Sequence, residues 1–301
     1  MRRAITASVV AWAAVVTTAI GGQQTFRAGT DLVTVGVTVV DRKGNLVTDL
    51  SRDDFEVFED GQRQDLRLFA LADGDTAPAM HLGLLLDASG SMWVDMKLAQ
   101  GAAVKFLNLL PTAEDITLVD FDTRVRITRY PQRDFPRLIE RIRQRKPDGW
   151  TALYDALGTF LDGADQQSGR TVLVMYTDGG DTRSALSFNE TLTLLKASQV
   201  TVYAIGLVEN TGSARLQLQM ALRQIAETTG GQAFFPTSMK DVERAYDKVL
   251  AEIQGQYLLG YQSANTITDG AWRKVAIKVT GRDLRVRARQ GYFGPYKTTQ
   301  K

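Results

Sequence analysis

The stretch Leu82-Gly-Leu-Leu-Leu-Asp-Ala-Ser-Gly-Ser91 constrains this chain more than any other. An apolar run without polar alternation ends abruptly in Asp87, Ser89 and Ser91. The run is too short to span a membrane and has the character of a strand buried on both faces, as in the middle of a parallel sheet. Open α/β sheets present their ligand sites outside the carboxyl ends of such strands. Three oxygen side chains at i, i+2 and i+4 in a tight turn can converge on one point, and Gly90 gives that turn backbone freedom. One carboxylate with two hydroxyls is hard-oxygen chemistry, suited to Mg²⁺ or Mn²⁺ rather than zinc.

Two later stretches have the same construction. Thr151 lies in Asp148-Gly-Trp-Thr-Ala-Leu-Tyr-Asp-Ala-Leu157, and Asp178 ends the apolar run Val172-Leu-Val-Met-Tyr-Thr-Asp-Gly179. Asp87-Ala-Ser89-Gly-Ser91 resembles the Asp-x-Ser-x-Ser signature of the von Willebrand factor A domain family, which opens that family's metal-ion-dependent adhesion site. The other two stretches resemble its Gly-Gly-Thr-x-Leu-x-x-Ala-Leu loop and its strand ending in Thr-Asp-Gly. The resemblance covers roughly residues 80–255. It implies a metal held by Asp87, Ser89, Ser91, Thr151 and Asp178, directly or through water, with Mg²⁺ or Mn²⁺ as the ion. It also implies an open coordination position that an acidic residue of a partner protein can fill. Trp150 departs from the family pattern, which has a small residue there. A tryptophan at that position either forms part of a partner-contacting rim or packs inward and shifts Thr151.

The pattern around these motifs alternates buried strands with helices. Helical spacing runs over 96–110, 135–144, 152–161, 192–197, 216–227 and 239–254, with Thr151 as a candidate N-cap. Residues 171–176 and 200–207 are further apolar strands, 115–128 a hairpin, and Phe234-Phe235 a short strand. Together they predict a doubly wound, mostly parallel sheet with helices on both faces.

The flanks change period. Val33, Val35, Val37 and Val39 alternate with polar residues, Phe55 and Val57 continue in a second strand, and Leu66 and Leu68 in a third. After residue 256 the period of two returns in 257–261, 273–279 and 284–288. Each flank alone makes a marginal domain. The expectation is one small antiparallel β-sandwich-like domain, residues 23–77 and 256–296, with the α/β unit of residues 78–255 inserted in it. A bacterial group of secreted proteins related to von Willebrand factor A looks similar, with an Asp-Phe-x-Val-x-Glu-Asp-Gly segment and a Gly-Tyr-Phe ending. These correspond here to Asp54–Gly61 and Gly291–Phe293.

Residues 1–22 carry Arg2 and Arg3, an apolar core and the small residues Ala19 and Gly21, the form of a secretory leader, either cleaved or kept as an anchor. The rest is then expected outside the cytoplasm, secreted or periplasmic, with no membrane contact once the leader is cleaved. The chain has no cysteine, which excludes disulfides and thiolate metal sites. A net charge of +2 gives no push toward nucleic acid.

Other polar features have plainer expectations. Asp120 and Asp122 are expected as turn and edge residues, Asp181 as part of a polar loop, and Arg285, Arg287 and Arg289 as the solvated face of a strand. His81, the single histidine, begins the strand that Ser89 follows, so about 20 Å of strand separates them and no Ser–His hydrolase is expected. The function expected from the resemblance is a protein-binding module without catalysis. A metal-dependent phosphohydrolase and a structural envelope protein with a non-functional site are the alternatives. Against the hydrolase, Asp87 has no second carboxylate beside it, its loop has no basic residue, and no glycine loop cradles phosphate.

Overall fold

The computed structural model describes residues 32–74, 77–110, 113–164, 167–178, 180–207 and 213–296; the leader of residues 1–22 lies outside them. In chain order the strands and helices are β1 (Leu32–Val40), β2 (Phe55–Glu59), β3 (Gln62–Gln64), β4 (Leu66–Leu71), β5 (Met80–Asp87), α1 (Met96–Asn108), β6 (Ala113–Phe121), β7 (Val125–Pro131), α2 (Phe135–Gln144), α3 (Leu153–Ala164), β8 (Arg170–Thr177), α4 (Phe188–Ala197), β9 (Thr201–Gly206), α5 (Ser213–Thr228), β10 (Ala233–Phe234), α6 (Met239–Gly255), β11 (Tyr257–Gln262), β12 (Trp272–Val279), β13 (Arg285–Ala288) and β14 (Gly291–Phe293).

The apolar run of β5 lies in the middle of a six-stranded sheet of order β10-β9-β8-β5-β6-β7, parallel except at β7. All eight residues of β5 are buried. Period two sends Leu82, Leu84 and Leu86 into a core shared with α1, α2 and α6, and Leu85 into the opposite core shared with α3, α4 and α5. Gly83 lies between them because a Cβ there would come within 2.3 Å of the Phe160 ring on α3. Replacing one of these leucines by alanine removes its burial and leaves a cavity, a cost of about 2–5 kcal/mol.

The two flanks build two four-stranded antiparallel sheets, of order β13-β1-β11-β4 and β14-β12-β2-β3. Both sheets combine strands from before and after the α/β unit. Val35, Val37 and Val39 of β1 share one core with Phe55 and Val57 of β2, Tyr257 and Leu259 of β11, and Val275 of β12. Glu59 is buried in this core and accepts hydrogen bonds from Tyr261 at 2.8 Å, Tyr292 at 2.8 Å and Ser263 at 2.5 Å. The segments 54–61 and 291–293 therefore meet through Glu59 and Tyr292.

Two expectations need correction. The arginine stripe of β13 and its end is a solvated face only at Arg285, which is exposed. Arg287 pairs with Glu252 of α6 and with Gln232, and Arg289 reaches the carbonyl of Lys196 at 2.9 Å. These two arginines hold the α/β unit against the sheet. Asp120 and Asp122 are not edge residues either. Both are buried, Asp120 pairing with Arg141 at 3.0 Å and with Arg145 at 2.9 Å, and Asp122 with Arg126 at 3.0 Å and with Arg145. Burial of carboxylates at the end of β6 demands such partners.

Candidate metal site

Asp87 ends β5, and β8 beside it ends in Thr177, so parallel pairing delivers Asp87 and Asp178 to the same edge of the sheet. Asp87 is 0 % exposed. Its Oδ1 accepts from the Ser89 N–H at 2.8 Å, which folds the turn back on the carboxylate, and its Oδ2 accepts from the Thr177 hydroxyl at 2.5 Å. The Ser89 and Ser91 hydroxyls are 3.1 Å apart, and Ser91 donates to Asp178 Oδ1 at 2.8 Å. Four of the five expected residues thus form one connected chain: Asp87 and Ser89 joined by a backbone bond, then Ser91 and Asp178 through their side chains.

Thr151 comes to the same edge through its loop. The Gly90 N–H donates to the Gly149 carbonyl at 2.9 Å and the Asp148 N–H to the Ala88 carbonyl at 2.8 Å, which ties the loop of Thr151 to that of Ser89. Gly149 is required here. Its φ is +73°, and a Cβ would sit 2.4 Å from the Thr123 hydroxyl, which receives the Trp150 N–H at 2.9 Å. Thr151 is buried and its backbone is fixed on both sides: its N–H donates to Thr182 Oγ1 at 3.0 Å, and its carbonyl accepts from Thr182 and Arg183.

Thr151 does not cap α3, which begins at Leu153. The first-turn N–H groups of Tyr154 and Asp155 donate instead to Asp181 Oδ1 at 3.2 Å and Ser184 Oγ at 3.0 Å. Asp181 is therefore a cap supplied from a distant loop. Trp150 points outward at 65 % exposure and does not pack inward. Trp93, directly after the Ser91 turn, is 76 % exposed beside Val94. Both tryptophans rise from loops joined by the Gly90–Gly149 bond. Trp93 was hidden in the sequence because Met92-Trp93-Val94 has the composition of core, and Met92 is indeed fully buried.

The electrostatics favour a cation. Burial raises the Asp87 carboxyl above its ordinary value, with the bonds from Thr177 and Ser89 opposing and the charge of Asp122 adding to the rise. Burial also pushes Asp178 up to about 6, opposed by Ser91 and reinforced by the charges of Asp87 and Asp95. Among the described residues no lysine or arginine forms an ion pair with either carboxylate. A buried and a half-buried carboxyl, the charge of one raising the other, are relieved by a positive ion between them. Among the described residues no group of three or more His, Cys, Asp or Glu side chains is placed to hold a metal. Asp87 and Asp178 are the two carboxylates here, and Ser89, Ser91 and Thr151 supply hydroxyls. This all-oxygen donor set fits a hard divalent ion that keeps part of its water shell.

The family model of the von Willebrand factor type A domain matches residues 81–248, more than half of the chain. Comparison with curated proteins finds none that matches. Among solved structures, a von Willebrand factor type A protein from Catenulispora acidiphila is 11% identical over 82% of this chain and 74% of its own, with a TM-score of 0.50. The vWF domain of the type V pili tip protein Mfa5 from Porphyromonas gingivalis is 12% identical over 64% of this chain and 99% of its own, with a TM-score of 0.50. The PilB minor pilin from Streptococcus sanguinis is 14% identical over 60% of this chain, with a TM-score of 0.49, and the match spans 63% of the pilin's length. For the Catenulispora acidiphila and Mfa5 structures the likeness at these identities is one of fold.

Proposed function

The chain belongs to the von Willebrand factor type A domain family, and from that premise we propose that it is a protein-binding module of the cell exterior or periplasm, which captures an acidic residue of its partner at a divalent metal. Asp87, Ser89, Ser91, Thr151 and Asp178 hold the ion, Mg²⁺ or Mn²⁺. The bound ion supplies an exchangeable coordination position that a carboxylate can enter. The observation that carries this reading is the pairing of buried Asp87 with half-buried Asp178 through the Ser89–Ser91 turn, with no ion pair to either carboxylate among the described residues.

The chain's own residues account for the rest. Thr177 and the Ser89 N–H hold the Asp87 carboxylate in one orientation, so binding requires little rearrangement. Trp93 and Trp150 flank the edge and offer apolar contact to whatever surrounds the partner's acidic residue, the usual role of exposed aromatics at interfaces. The apolar leader of residues 1–22 supports an extracytoplasmic setting. Binding rather than phosphate hydrolysis is favoured because, among the described residues, no lysine or arginine pairs with the site's carboxylates, where it could also hold a phosphoryl oxygen.

The test is a calorimetric titration of the full chain with MgCl₂ or MnCl₂, using Asp87→Ala as the comparison. One site is expected in the native protein and none in the variant, with the melting transition of the variant retained. Equal binding by both ends the metal assignment.

A further inference from the structure

At the opposite end of the α/β sheet lies a cleft of about 420 Å³, between the amino ends of β8 and β9 and the sheet strands β1, β4 and β11. A strand the length of β8 separates it from Asp178 by about 25 Å, so it is independent of the metal site. Its volume falls in the range of small-molecule sites, about 300–1,000 Å³.

Its walls are mixed. Leu32, Leu68, Val172 and Leu258 supply apolar surface, while Arg170, Gln256 and Gln167 supply polar groups. Arg170 donates through one terminal nitrogen to the Ile253 carbonyl at 2.9 Å and through the other to the Ala72 carbonyl at 3.4 Å. Its Nε is buried and has no hydrogen-bond partner, and no carboxylate forms an ion pair with it among the described residues. Burial lowers its pKa to about 10, with Tyr203 and Asp73 opposing, so it stays charged at neutral pH. Gln256 is 2 % exposed, and its Nε2 is likewise buried without a partner. Its amide occupies the space over Gly36, where a Cβ would lie 2.7 Å from Oε1. Buried donors left unpaired are costly, more so when charged. The cleft therefore has a cation that is bonded to two carbonyls and to the Met80 sulfur but has no ion-pair carboxylate among the described residues, the unpaired amide groups of Gln256 and Gln167, and an apolar wall.

We propose that this cleft binds a small organic acid, a carboxylate on a compact apolar body. The carboxylate lies against the Arg170 guanidinium and the Gln256 amide, both of which line the cleft, and the body lies on Leu68, Val172 and Leu258. A charge-assisted pair of this kind in a partly buried setting is stronger than its neutral counterpart.

The experiment is a calorimetric titration of the full chain with octanoate, and with octan-1-ol as the neutral counterpart. Octanoate is expected to bind at least tenfold more tightly than the alcohol. Arg170→Met is expected to weaken octanoate at least tenfold and to leave the alcohol unchanged. Leu68→Trp, which fills the cleft without touching either donor, is expected to abolish both while the protein still melts cooperatively; it decides the matter if Arg170→Met does not fold. No binding of octanoate, equal binding of acid and alcohol, or full binding by Leu68→Trp overturns the proposal.

Discussion

The Thr177 hydroxyl donates to Oδ2 of Asp87 at 2.5 Å, across the β5–β8 pair, and so fixes the carboxylate on which the proposed metal site depends. Valine has the shape of threonine without the donor. Thr177→Val is expected to leave the fold intact and to weaken Mg²⁺ or Mn²⁺ about tenfold. A hydrogen bond to a charged group is worth about 1.5–3 kcal/mol, and part of that is lost as disorder of the carboxylate. Unchanged affinity in a titration would show that Asp87 is oriented by its turn alone.

Asp178 sets a pH dependence. Its pKa rises from 3.8 to about 6 in the metal-free fold, chiefly through burial. A raised carboxyl pKa means that folding favours the protonated form. The stability it contributes is full below about pH 4 and is lost as pH climbs to about 6. A bound cation reverses that preference, so metal and proton compete. Affinity for Mg²⁺ at pH 5 is expected to be about tenfold weaker than at pH 7. The melting temperature should gain more from Mg²⁺ at pH 7 than at pH 5. Equal affinities at the two pH values would show that Asp178 does not bear on the ion.

The rim and the ligand set separate partner from metal. Trp93→Ala and Trp150→Ala are expected to weaken the partner and leave metal affinity unchanged, since neither offers a ligand oxygen. Thr151→Ala should weaken the partner more than the metal, because water can replace one neutral hydroxyl at the ion. A crosslinking pull-down with Mg²⁺ against EDTA supplies the partner, and paired titrations on each variant supply the comparison. If these variants and EDTA all leave partner binding intact, the contact lies elsewhere, most naturally on the β-sheets.

Tyr292 and Glu59 test the insertion. Tyr292→Phe removes one of three donors to a buried carboxylate and is expected to cost about 1.5 kcal/mol, read as a melting shift of several degrees. Deletion from Gln256 onward removes β11 from between β1 and β4 and is expected to cause aggregation. A soluble truncated chain with residues 32–71 protected from protease would mean that the two flanks are independent.

The strand ends that carry the site were legible because an apolar run breaking into Asp and Ser marks a buried strand at the point where it leaves its sheet. The pairing of Glu59 with Tyr292 lay behind two short segments whose nearness no local pattern reveals. Asp122 is a turn residue as expected, but the burial of Asp120 and Asp122 was missed because their partners, Arg141 and Arg145, arrive from α2 and the turn after it. The alternation at Arg285, Arg287 and Arg289 is the same whether the polar face meets water or Glu252. Asp181 caps α3 from outside the helix, so Thr151 stood as the local candidate.

The pairing of β4 with β11 has a mechanical consequence. Leu71 lies opposite Tyr257, and the Ala72 N–H donates to the Gln256 carbonyl at 2.8 Å, so the α/β unit is entered and left at one point. Tension applied between residues 32 and 296 runs through the hydrogen bonds of the sheets and bypasses the unit that carries Asp87. The metal edge hangs as a side branch off the load path, and its geometry stays intact under a pull until the β4–β11 ladder unzips.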